Sequence, residues 1–209
     1  MSPIPLEQSA TILQEMMTHP ALFSHLKPQK IAIIGDKDLS ILKEAQKHTH
    51  LQEIWFTTAD SSVELRDDDA RITFCAQADL VTKLESNSLD VIIIADTIPT
   101  ETFAHYFQLL TTDGVLSQLG DSPFHVQALK KIQEKLKAAG FKDIQTLQFP
   151  QPDFASGWRS AMMAKKQGIF RKIREKDIFN KTFQTHYYNF DVHKAALVLP
   201  EFMRHELAF

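Results

Sequence analysis

Two isoleucine-rich runs organise the chain: KIAIIG at 30–35 and LDVIIIADTIP at 89–99 hold few polar residues. That pattern belongs to parallel strands covered on both faces rather than to half-wet ones. LQEIWFTTAD predicts a second strand, RITFCAQAD a third and DGVLSQLGD a fifth, while FKDIQTLQFPQP and RSAMMAKK predict an antiparallel hairpin as the sixth and seventh. Helical segments alternate with them. SILKEAQKH follows the first strand, and TETFAHYFQLL and PFHVQALKKIQEKLKAAG lie among the later ones, the last stopped by Gly140 as a C-terminal cap. Residues 8–25 place Ile12, Met16 and Met17 at helical spacing, with Ser9 or Thr11 as caps and Pro20 ending or bending the run. In the tail, Val192, Ala195, Ala196 and Leu199 keep helical spacing before Pro200. Strand and helix in alternation predict an α/β fold, a doubly wound, mostly parallel seven-stranded sheet with right-handed crossovers and an antiparallel terminal hairpin.

Composition narrows the choices. With 209 residues, 44% of them hydrophobic, one full-sized core is expected. Net charge is −3, from 23 basic and 26 acidic residues, so nothing favours nucleic acid or an anionic membrane as partner. The single cysteine, Cys75, has no partner for a disulfide and is expected as a buried, reduced thiol. No targeting segment or membrane span stands out, which predicts a cytoplasmic protein. His19, His25, His48 and His50 lack a ligand spacing backed by nearby carboxylates, so they are expected at the surface and no metal site is expected. The basic stretch KKQGIFRKIREKD is expected as a solvated face. Trp55, Phe56, Phe74, Tyr106 and Phe107 are expected in the core rather than as a base-stacking platform.

The most specific signal is the tail. Tyr187-Tyr188-Asn189, Asp191-Val192-His193-Lys194-Ala195-Ala196 and Leu199-Pro200-Glu201-Phe202 resemble the carboxyl-terminal signature of the spermidine synthase, or polyamine aminopropyltransferase, family. Gln14-Glu15-Met16, His19-Pro20-Ala21 and Ser24-His25 are similar to that family's YQEM segment and the lead-in to its first strand. Asp113-Gly114-Val115-Leu116, Ser122-Pro123-Phe124-His125 and Ser156-Gly157-Trp158 resemble its later segments. The resemblance implies a sheet of the S-adenosylmethionine-dependent methyltransferase type over 26–209, preceded by a helical segment at 1–25. It also implies aminopropyl transfer from decarboxylated S-adenosylmethionine, as co-substrate and not a tightly bound cofactor, to putrescine. The partners so implied are a small amine and a nucleoside, with a homodimer as the expected assembly. The strand-rich domain that opens family members is not expected here, since only residues 1–13 precede the matching region.

Residue by residue, the resemblance is incomplete. The family loop GGGDGG stands here as Gly35-Asp36-Lys37-Asp38-Leu39-Ser40, which predicts Lys37 and Leu39 projecting into the cofactor's space. Asp38 is of the type to meet an ammonium group, or else caps the following helix. The family's ribose-binding acid falls on Thr58, with Asp60 matching a second family aspartate; its adenine-binding aspartate falls on Ala78, with Asp79 one residue on. At DS(S/T)DP the chain reads Ala95-Asp96-Thr97-Ile98-Pro99, leaving Asp96, one position off, as the candidate catalytic acid. Leu13 and Phe154 replace two tyrosines. Gln14, Gly35, Asp38, Asp60 and Asp79 are the candidate ligand-binding residues.

These losses predict a degraded site with weak or absent transfer; the alternative is a non-catalytic binding relative, and a methyltransferase on the same sheet ranks below both. An open cleft lined by Asp38, Asp79 and Asp96 goes with an enzyme, and one closed by Leu39, Thr58 and Ile98 with a relic.

Overall fold

A computed structural model describes residues 6–57, 68–96, 98–99, 102–170 and 173–207. Helix α1 (Leu6–Ser24) leads into strand β1 (Lys30–Ile34), then α2 (Ser40–Gln46), β2 (Glu53–Thr57), β3 (Ile72–Phe74), α3 (Gln77–Lys83) and β4 (Leu89–Ile94). There follow α4 (Thr102–Leu109), β5 (Leu110–Leu119), α5 (Val126–Ala139), β6 (Asp143–Pro150), β7 (Trp158–Lys165), α6 (Glu175–Phe179), α7 (Phe190–Ala196) and α8 (Glu201–Leu207). The strands form one sheet in the order β3-β2-β1-β4-β5-β7-β6. β1, β2, β3, β4 and β5 pair in parallel, whereas β7 runs antiparallel to both β5 and β6. The expected doubly wound sheet with its terminal hairpin is therefore present.

The two isoleucine runs occupy the centre because each strand must satisfy two apolar layers at once. Alternate side chains of a strand point to opposite faces. Ile31 and Ile33 of β1, with Val91 and Ile93 of β4, meet Met16, Met17 and Leu22 of α1 on one face. Ala32, Ile34, Ile92 and Ile94 join Leu129 and Leu136 of α5 on the other. Pro20 lies inside α1 without ending it, and Gly140 caps α5 in the left-handed region at φ 109°. Among the described residues, no helix is long and apolar enough to cross a membrane.

Three expectations need correction. RITFCAQAD is not one strand: β3 stops at Phe74 and Gln77 opens α3, so Asp79 lies in a helix. His19, His25 and His48 are buried, and only His50 of the four is exposed. His19 Nε2 lies 3.0 Å from Glu44 Oε2 and His19 Nδ1 lies 2.9 Å from His48 Nε2. With Glu44 accepting, His19 donates from Nε2 and receives from His48 at Nδ1, so one chain of bonds fixes both tautomers. Lastly, Lys165 and Lys166 are buried rather than solvated. Lys166 Nζ donates to Leu110 O at 2.6 Å and Asn87 Oδ1 at 2.8 Å, and Lys165 pairs with Asp113 at 2.6 Å. A cation buried with such partners ties the end of β7 to β5 and to the turn before β4. Phe56 and Tyr106 are core residues as expected, with Trp55, Phe74 and Phe107 packed against the core, and Cys75 is a half-buried free thiol.

Candidate functional site

The parallel strands β1 and β4 end side by side, and the crevice outside the carboxyl ends of such strands is where α/β sheets hold ligands. Gly35 closes β1 at φ +77°, and a Cβ added there would lie 2.6 Å from Asp96 Cβ. Two adjoining cavities open above this contact. One, of about 310 Å³, is lined by residues including Leu13, Gln14, Gly35, Asp36, Lys37 and Asp38. The other, of about 560 Å³, is lined by residues including Asp96, Gly120, Asp121, Lys131 and Lys135. They share Lys37, Ala95, Phe154 and Arg159 and so form a continuous cleft.

The loop after β1 explains how a single glycine suffices. Asp36, 2% exposed, turns inward, and its Oδ2 accepts the Leu42 N–H at 3.0 Å, which satisfies an early donor of α2. Burial pushes the Asp36 carboxyl up to about 6 against the opposing pull of the Leu42 N–H, and the neighbouring Asp38 adds to the rise. Asp38 Oδ1 accepts the Ser40 N–H at 3.2 Å. Burial works to raise Asp38, but its bonds from Ser40 and Asp36 outweigh that and hold its carboxyl below the ordinary value. Leu39 adopts φ 60°, the left-handed region that an L side chain enters only at a cost near ~1 kcal/mol. Its side chain packs against the α1 layer of the core. The expected intrusion of Leu39 into the cleft does not occur, because the left-handed backbone redirects the side chain inward.

Lys37 does reach the cleft. Its ammonium lies 3.4 Å from Asp96 Oδ2. Asp96 thus faces the opening despite its one-residue offset, with 37% of its side chain exposed. The turn after β4 redirects it, and Gln118 Nε2 of β5 fixes the turn by donating to Asp96 O at 3.0 Å. Across the cleft, the Arg159 guanidinium lies 4.4 Å from the Phe154 ring centre. Ile98 packs with the α5 layer of the core rather than closing the opening.

Of the residues singled out from sequence, Gln14, Gly35 and Asp38 share the smaller cavity and Asp96 lines the larger. Asp79 lies apart on α3, paired with Lys83 at 3.0 Å, and lines neither of these cavities. Asp60, like Thr58, falls outside the described residues. Sequence reasoning passed over Asp36 and Arg159. Asp36 carries the readable signal of an acid just ahead of a helix; Arg159 carries none, since its place depends on the hairpin register Gln148↔Ser160 and Phe149↔Arg159.

The YQEM-like and tail segments meet at Glu15, next to the cleft-lining Gln14. Glu15, fully buried, accepts the N–H groups of His186, Tyr187 and Tyr188 at 2.7, 2.9 and 2.7 Å. Tyr188 Oη lies 2.9 Å from His193 Nδ1, and Asn189 caps α7 by accepting the Val192 N–H. Burial depresses His193 to about 4.

A sequence model of the spermine/spermidine synthase domain matches residues 10–177. The polyamine aminopropyltransferase of Nitrosococcus oceani is 37% identical over 213 residues, covering 91% of this chain and 74% of that protein. The polyamine aminopropyltransferase of Halorhodospira halophila is 32% identical, with 95% and 80% covered. Spermidine synthase from Thermotoga maritima superposes with a TM-score of 0.85 at 27% identity, over 94% of this chain and 74% of that one. A spermidine synthase in complex with the transition state analogue AdoDATO gives 0.85 at 26%, covering 94% and 75%. A SAM-dependent methyltransferase from Archaeoglobus fulgidus, at 10% identity and TM-score 0.59 over 77% of this chain and 94% of that one, shares the fold alone. By this profile match and these relatives, the chain belongs to the spermine/spermidine synthase family.

Proposed function

We propose that the chain is a spermidine synthase-like protein whose cleft admits a nucleoside of the decarboxylated S-adenosylmethionine type and transfers its aminopropyl group to putrescine only weakly or not at all. In the reaction an amine nitrogen attacks the carbon beside the sulfonium, the carbon–sulfur bond breaks, and methylthioadenosine leaves. The attacking amine gives its proton to a carboxylate. In this reading Gln14, Gly35 and Asp38 border the nucleoside's aminopropyl end, and Asp96 accepts the proton. Asp79, apart on α3 and paired with Lys83, takes no part in this reading.

The observation that carries the reading is the Lys37–Asp96 pair. The Lys37 ammonium, 3.4 Å from Asp96 Oδ2, competes with an incoming amine for that carboxylate and repels a protonated one. The same pair favours a second reading, a non-catalytic binding relative. Incubation with decarboxylated S-adenosylmethionine and putrescine, followed by methylthioadenosine release, tests both. A rate ~10²–10³ below that of the Nitrosococcus oceani enzyme is expected, as for loss of one group that stabilises the transition state. Asp96→Asn is expected to abolish what remains. A rate equal to that relative's would overturn the proposal; no release, with methylthioadenosine still bound in calorimetry, selects the second reading.

A further inference from the structure

Among the described residues, the larger cavity is lined by four cationic side chains, Lys37, Lys131, Lys135 and Arg159, and by two carboxylates, Asp96 and Asp121. Both carboxylates are engaged. Asp96 faces Lys37, and Asp121 accepts the Ser122 N–H at 2.6 Å and contacts His125 Nδ1 at 3.2 Å. Asp153, on the adjoining cavity, accepts from Gln151 Nε2 at 2.5 Å.

The cations are less fully matched. Lys131 and Lys135 stand one turn apart on α5, so helical spacing brings both over the same opening. Among the described residues, neither forms an ion pair. Arg159 is held from β7 by its stack on Phe154 and by an Nη2 bond to Gly120 O at 3.3 Å, while its buried Nε has no hydrogen-bond partner. A planar fork backed by an aromatic ring suits the two oxygens of a carboxylate or phosphate, which would share the Arg159 charge with the nearby Asp121 and Asp153. A diamine entering the same space would meet like charge on several sides, and the low-dielectric walls of a cleft strengthen that repulsion.

We infer that this half of the cleft binds a small ligand bearing carboxylate or phosphate groups in place of a diamine. The inference deepens the functional reading above, because it takes the same cleft as the ligand site, and it gives a reason for slow diamine transfer.

Putrescine and succinate share a four-carbon skeleton with opposite charges at the ends, so titrating the intact protein with each separates charge from shape. Succinate is expected to bind at least ~10-fold more tightly, and that preference to fall below ~3-fold in Lys131→Ala/Lys135→Ala, with unchanged circular dichroism. Inorganic phosphate, run as a third ligand, assigns the group: tighter than succinate means a phosphate-bearing ligand, weaker means a carboxylate. Putrescine binding as tightly as succinate, no saturation by either anion at ~50 mM, or a preference untouched by the double substitution would each overturn the inference. Methylthioadenosine is titrated in parallel. Its failure to bind beside an intact succinate preference rejects the nucleoside reading alone; its binding without that preference rejects the anion site alone.

Discussion

Glu15 and Asp96 both sit in segments that align with aminopropyltransferase motifs, but their surroundings are opposite. Glu15 is sealed beneath the tail and gathers three successive backbone N–H groups. Asp96 is 37% exposed at a strand tip and faces the flexible side chain of Lys37. Replacing the first strands several buried donors at once, whereas a surface ion pair changes at little energetic cost. The architecture and the chemistry of this protein therefore respond to mutation on different scales. The tail and sheet are tied by buried polar bonds that tolerate few substitutes, and the cleft is lined by side chains that can be exchanged while the fold persists.

The largest expected effect tests the buried side. Glu15→Ala should lower unfolding free energy by about 3–5 kcal/mol, since the shared acceptor of three backbone N–H groups is lost. Urea denaturation measures it, and a loss below ~1 kcal/mol would remove Glu15 as the tie between α1 and the tail.

Acid should act next. Burial lowers His19, His25, His48 and His193 from their ordinary 6.5, His193 to about 4. Below pH 6.5 the unfolded chain takes up these protons first, so their contribution is complete above 6.5 and is lost as pH falls toward 4. Asp36 acts in the opposite sense. Raised from 3.8 to about 6, it is protonated first in the native state, which favours folding as pH drops through that window. The histidines outnumber it, and the native His193 shift alone is on the order of 3 kcal/mol. Thermal melts at pH 7.5 and 4.5 should show a clear drop in midpoint, reduced in His193→Phe; a flat profile would contradict the neutral buried histidines.

The smallest stability effect belongs to the rim. Lys37→Ala should shift unfolding by less than about 0.5 kcal/mol while raising any residual methylthioadenosine release, because the ammonium beside Asp96 is gone. Release that falls instead would give Lys37 a positive part in the reaction.

The sequence conveyed the sheet well because β1 and β4 are buried on both faces and so hold almost unbroken isoleucine runs. The edge was harder to read. β3 is three residues long, and the apolar positions of RITFCAQAD serve a strand end and a helix start in turn. Burial of the histidines was not legible, since His19 and His48 meet across a sequence separation of 29 and neither neighbourhood shows the other. Lys165 and Lys166 looked solvated because their partners, Asp113 and Leu110 O, belong to a strand far earlier in the chain. At the cleft, the motif comparison located Asp96, but its facing came from a turn whose direction the offset alone did not reveal.

One atom's absence sets the grain of the loop. At Gly35 the tips of β1 and β4 touch so closely that a methyl group would collide with Asp96 Cβ, so the floor of the crevice is shut and whatever docks there must drape across it, not thread between the strands. A mutation at this position would pry the two tips apart and swing the acid with them. At Lys37 and Leu39, by contrast, added bulk finds room, over the cleft in one case and into the core in the other.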